Sequence, residues 1–110
     1  NGDVYTGEFK GYEMHGQGEY IWKNGSNYGY IGKFKNNVPH DKKGELISFF
    51  GTRTIGEWKH GKPVGKHVGK YQWGAHAFII YDDNGNVIKS NAREALEQRK
   101  KEVKSWGEKP

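Results

Sequence analysis

The sequence predicts a mainly β protein, a row of short antiparallel hairpins followed by one C-terminal amphipathic α-helix. Three observations carry this expectation. A short string built around a central glycine with aromatic flanks recurs at residues 5, 30 and 54, each time followed by a second recurring string. The chain holds 17 Gly alongside four Trp, seven Tyr and five Phe, spread along its length rather than gathered in a linker. Residues 90–105 hold no glycine or proline and form a run rich in Ala, Glu, Lys and Arg.

The first strings are Tyr5-Thr6-Gly7-Glu8-Phe9-Lys10, Tyr30-Ile31-Gly32-Lys33-Phe34-Lys35 and Thr54-Ile55-Gly56-Glu57-Trp58-Lys59. Their followers are Gly18-Glu19-Tyr20-Ile21-Trp22, Gly44-Glu45-Leu46-Ile47-Ser48 and Gly69-Lys70-Tyr71-Gln72-Trp73. Turn formers lie between them, at Met14-His15-Gly16, Asn36 to His40 and Gly61 to Gly65, so each unit reads as strand, turn, strand. Strand alternation puts Tyr5, Gly7 and Phe9 on one face and Thr6, Glu8 and Lys10 on the other. Glycine between two aromatics weakens a strand but leaves room for a neighbouring ring to lie flat on the backbone. Stacked rings are thus expected to replace an aliphatic core. Asn24-Gly25 and Asn84-Gly85 are type I′ turn signals between and after units.

The units run over about residues 1–28, 29–52 and 53–74, with a degenerate fourth at 75–89. That last unit is more aliphatic, with Phe78-Ile79-Ile80-Tyr81, as suits the end of a stacked array. Residues 90–106 read as a helix that caps the array or fills its groove, and 107–110 as a tail. Asn91 with Glu94 resembles a capping box. Leu96, Val103 and Trp106 form the apolar stripe, extended by Ala92, Ala95 and the stem of Arg99.

Composition sets limits. Leu, Ile, Val and Phe fill only 20 of 110 positions, and the mean hydropathy is −1.04, values that by themselves suggest disorder. The rings and the repeat argue for a folded chain instead, since each aromatic buries far more surface than a valine. With no cysteine, disulfides, thiolate metal sites and Cys nucleophiles are excluded. The longest apolar run, Ala77 to Tyr81, is too short for a transmembrane helix. The chain opens without Met and shows no signal peptide, and is read as a one-domain fragment or processed product.

The repeated strings resemble the MORN family (membrane occupation and recognition nexus), whose units run Tyr-x-Gly-Glu-Trp-x-x-Gly-x-x-His-Gly-x-Gly. The first unit matches at Tyr5, Gly7, Glu8, Phe9 (for Trp), His15, Gly16 and Gly18, with Tyr12 where Gly is usual. The second matches at Tyr30, Gly32, Phe34 and His40, but has Lys33 for Glu, Asn37 for Gly and Asp41 for the Gly after His. The third keeps Gly56, Glu57, Trp58, Gly61 and Gly65, with Thr54 and Val64 in place of Tyr and His. The resemblance implies an elongated, twisted, single-layer antiparallel array of hairpins with a groove along one side. It also implies a scaffold or adaptor without catalytic activity, associated with membranes, cytoskeleton or large assemblies, in a family where some members dimerise.

Candidate sites follow from both readings. The recurring aromatics Tyr5, Phe9, Tyr20, Trp22, Phe34, Trp58, Tyr71 and Trp73 are candidates for lining a binding groove, because one layer cannot cover both sides of every ring. Lys33, Lys35, Lys59, Lys66 and Lys70 are candidates for a basic face, within a formal charge of +5. Such a face suits an acidic protein or anionic lipid headgroups, but its small charge and interspersed acids give little for nucleic acid. Glu8 and Glu57 recur with the unit, so salt bridging explains them better than hydrolysis. No nucleophile–base pair or metal-ligand spacing is present, so neither catalysis nor a metal or other cofactor is expected. The expected partner is a protein or multi-subunit complex, with an anionic membrane surface or a second copy as the other candidates. The expected setting is intracellular, cytoplasmic or organellar.

Overall fold

The computed structural model describes residues 2–25, 27–48 and 51–107. It contains β1 (Val4–Lys10), β2 (Glu13–Ile21), β3 (Asn27–Lys35), β4 (Val38–Pro39), β5 (Asp41–Ser48), β6 (Arg53–Lys59), β7 (Lys62–Lys70), β8 (His76–Tyr81), β9 (Val87–Ser90) and helix α1 (Ala92–Trp106). The strands form one antiparallel sheet in chain order, with the two-residue β4 pairing β3 just ahead of β5. The molecule measures 64 × 27 × 20 Å, an elongated single layer as the repeat and the family resemblance imply.

Register explains how a glycine-rich, aliphatic-poor chain builds this layer. Tyr5 stands opposite Tyr20, which stands opposite Tyr30, while Gly7, Gly18 and Gly32 line up in the adjacent row. An aromatic row and a glycine row therefore run side by side across the strands. Each ring tips from the first row onto the second. A Cβ at Gly44 would fall 2.6 Å from Tyr30 Cε2 and 2.7 Å from Trp58 Cδ1, closer than real Cβ atoms approach. The missing side chains are the seats of the rings. Tyr30, Phe34, Leu46 and Trp58 form the buried cluster, with Tyr5, Met14, Tyr20 and Trp22 against it.

The turns differ from the sequence expectation. Within units the chain reverses at Gly11-Tyr12, Asn36-Asn37 and His60-Gly61. Both residues of the second and third pairs have positive φ, which two-residue hairpins require for their twist to match the strands. Met14, His15 and Gly16 lie inside β2, and Gly16 and Gly65 take positive φ where the returning strand is irregular. Asn84-Gly85 closes a three-residue loop instead of a type I′ turn: Gly85 N donates to Asp82 O and Asp82 N to Asn86 O. The same pair of bonds recurs at Tyr71–Ala75 and at Ser48–Thr52. Between the first two units the Trp22 N to Tyr28 O bond leaves more than two residues in the loop, so Asn24-Gly25 is not a type I′ turn either. Ser26, in that loop, lies outside the described residues.

Helix α1 also departs from expectation. Asn91 makes no side-chain cap. Its amide instead accepts hydrogen bonds from Phe78 N at 3.0 Å and Tyr71 Oη at 3.1 Å, and donates to His76 O at 2.8 Å. Three bonds to the sheet outweigh one to the helix. The first turn docks on β8 with Ala95 buried, while Leu96, Val103 and Trp106 remain about half exposed. The helix therefore neither buries its stripe nor fills a groove over the ring-bearing strands. Arg99 steadies its far end, its guanidinium 5.7 Å from the Trp73 ring and 4.8 Å from Trp106. Replacing Asn91 with Ala strands the Phe78 amide and the His76 carbonyl, and is expected to cost about 1–3 kcal/mol. Limited proteolysis should then cut within α1 well before the strands; cleavage at the wild-type rate would contradict this role for Asn91.

Candidate interaction faces

The two candidate sets lie on opposite faces. Strand register places Tyr5, Phe9, Tyr20, Trp22, Phe34 and Trp58 with the glycine row, and Tyr71 and Trp73 follow at its far end. Lys33, Lys35, Lys59, Lys66 and Lys70 alternate with these positions and occupy the other side.

On the aromatic side, seven rings form one column: Phe9, Tyr5, Phe34, Tyr30, Trp58, His67 and Tyr81. Successive centroids lie 4.9–6.2 Å apart, with neighbouring planes steeply inclined. Edge-to-face contacts suit the ring quadrupole and let a thin sheet bury aromatics without a second layer. Tyr5 Oη donates to Glu8 O and Tyr30 Oη to Lys33 O, in each case the carbonyl three residues on. Burial, helped by the Asp41 charge, holds the Tyr30 hydroxyl above its ordinary pKa.

The third unit has Thr54 where the tyrosine should be, and another strand supplies the ring. His67, from β7, lies over Gly56, and its Nε2 bonds to Glu57 O at 2.9 Å. Glu57 is again the third residue on. This bond places the proton of the neutral imidazole on Nε2. Nδ1 is buried with no hydrogen-bond partner among the described residues, and burial pushes the pKa below that of a free histidine. Nothing in the strand alternation marked His67, because the residue it replaces sits on a different strand.

The aromatic candidates divide by exposure. Phe34 and Trp58 are buried, and among the described residues Trp58 Nε1 has no hydrogen-bond partner. Phe9, the first ring of the column, is 61% exposed. Tyr20 and Trp22 are half-buried and meet at 5.7 Å. With Met14, Phe34, Val38 and Pro39 they line an open cleft of about 240 Å³. Tyr20 is fixed from beneath by Asp3, which accepts its hydroxyl and the Lys23 amide; that amide bond, then the tyrosine, hold the carboxyl below its usual range. Tyr71 and Trp73 stack in parallel at 5.0 Å beside α1, outside this cleft. The eight residues thus form no single groove.

The polar groups do structural work. Glu8 accepts the Gln17 amide, and in the second unit Asp41 accepts the amides of Lys33 and Lys43. Glu57 lies 3.8 Å from Lys59. His40 and His60 come together across units, with centroids 5.1 Å apart and His60 N donating to His40 Nδ1. Among the described residues no three His, Cys, Asp or Glu side chains gather as a metal site would need. No helix among them is long and apolar enough to cross a membrane.

Hairpins repeated in register, each seating a ring on its neighbour's glycines, define a hairpin-repeat protein. The MORN repeat family model matches residues 5–27, 30–40 and 55–75, half of the chain. The chain belongs to the MORN repeat family, whose members are generally non-catalytic modules often involved in protein or membrane interaction. No curated protein matches it.

Proposed function

We propose that this chain is a non-catalytic protein–protein interaction and scaffold module that docks onto a larger protein assembly. The observation that carries this reading is the cleft at Tyr20 and Trp22, where half-exposed rings, a methionine and a proline surround open apolar space on a rigid sheet. Aromatic and methionine side chains are the residues enriched at the centres of protein interfaces. Glu8, Asp41, Glu57, His40 and His60 are committed to backbone amides, an ion pair and a ring contact, which supports an interaction role over chemistry.

The test is affinity capture from native extract with the wild-type chain and Trp22→Ala as paired baits, after both are shown by circular dichroism to be fully folded at the capture temperature. Proteins held at this cleft should fall at least about tenfold on Trp22→Ala, the loss given by removing a hot-spot ring worth about 2 kcal/mol. A captured set that is unchanged by the substitution would refute this assignment of the cleft.

A further inference from the structure

We propose that the face opposite the ring column docks an acidic amphipathic helix of a partner protein, laid across β6, β7 and β8 on Ile55, Val68 and Phe78. The three stand in one cross-strand row, Ile55 opposite Val68 and Val68 opposite Phe78. Ile55 is 44% and Val68 50% exposed, an apolar centre open on the surface of the layer. Cations flank it on both sides. One neighbouring row holds Arg53 and Lys70; the other holds Lys66 and Lys89 on either side of Ile80.

Most of this charge is uncompensated. Arg53 is shared with Glu45 at 3.7 Å, but Lys66, Lys70 and Lys89 form no ion pair among the described residues. Lys66 instead leans over the Phe78 ring, with Nζ 5.7 Å from its centroid. Geometry selects a helix. Strands lie about 4.8 Å apart and a helix rises about 5.4 Å per turn, so one apolar anchor per turn meets one strand. Acidic residues beside each anchor then reach the lysine rows. Helix α1 of a second copy fits poorly, because Arg93, Arg99, Lys100, Lys101 and Lys104 outnumber Glu94, Glu97 and Glu102. The partner is therefore a different, acidic chain. The proposal rests on the reading of the protein as an interaction module but uses a surface separate from the Trp22 cleft.

The probe is a synthetic helical peptide of about 18 residues, five turns, with Leu once per turn and Glu on either side. A twin carries Lys for every Glu. Binding is read by fluorescence anisotropy at low and high salt. The acidic peptide should bind, at least tenfold more weakly to Lys66→Glu/Lys70→Glu and several-fold more weakly to Val68→Thr, and more weakly in high salt. The twin should not bind. Both variants must keep the wild-type circular dichroism and thermal midpoint, and Trp22→Ala should bind the acidic peptide like wild type, which separates this face from the cleft. Equal binding of the two peptides, indifference to both variants, or no binding of either overturns the proposal. So does binding only to vesicles containing phosphatidylserine, which would assign the face to anionic lipid.

Discussion

Tyr30→Ala is expected to be among the most damaging single substitutions, lowering unfolding free energy by about 3–5 kcal/mol, as for deletion of other fully buried aromatics. Tyr30 is 0% exposed and sits mid-column, its ring 5.2 Å from Phe34 and 5.0 Å from Trp58. Its removal empties the seat over Gly32 and Gly44, and a single layer has no second sheet to collapse into the gap. It also strips the Lys33 carbonyl of its phenol donor. Tyr30→Phe isolates that last effect and should cost only about 1–2 kcal/mol. At roughly 4–8 °C per kcal/mol for a domain of this size, the two variants should melt well apart. Thermal and urea unfolding of the pair decide the matter: if Ala costs no more than Phe, the ring column does not hold the sheet.

His67 makes stability depend on pH in a direction its burial fixes. In the unfolded chain its imidazole titrates near about 6.5, whereas in the fold burial depresses the pKa. Below about pH 6.5 the unfolded state binds a proton that the folded state refuses, so stability falls as pH drops. The loss begins near the unfolded pKa and levels off once the folded pKa is passed. His67→Gln keeps an N–H group for the Glu57 carbonyl but cannot titrate. At neutral pH it should cost about 1–3 kcal/mol for the smaller side chain. Its urea midpoint should then fall less than that of wild type between pH 7.5 and 5.5, so that the two profiles converge. Profiles that stay parallel would mean that His67 is not the group responsible.

The hairpins, their order and the ring-on-glycine packing were legible because they repeat: Tyr5, Gly7 and Phe9 return as Tyr30, Gly32 and Phe34. Repetition failed as a guide wherever a different strand supplies the part. His67 stands in for the tyrosine missing at Thr54, a substitution visible only once β6 and β7 are paired. Asn91 looked like a helix cap because capping signals are local, yet its amide serves the strand below. Alternation put Tyr5 and Phe9 on one face, but the exposure of the aromatic candidates was not readable from the sequence. Whether a ring is core or surface depends on the ring of the next unit, as the contrast between Phe34 and Phe9 illustrates. The lysines share a face because alternation holds within the stretches that carry them, whereas the apolar row among them depends on cross-strand register.

A sheet whose strands hydrogen-bond in chain order, with only the two-residue β4 set aside from that order, also has a kinetic consequence. Closing any one hairpin traps few residues, so little chain entropy is lost before contacts form, and folding can begin in any unit and spread outward. Opening runs the other way, from the ends. Amide exchange should therefore be fastest in β1 and β9 and slowest in β3 through β7, where the ring column is continuous.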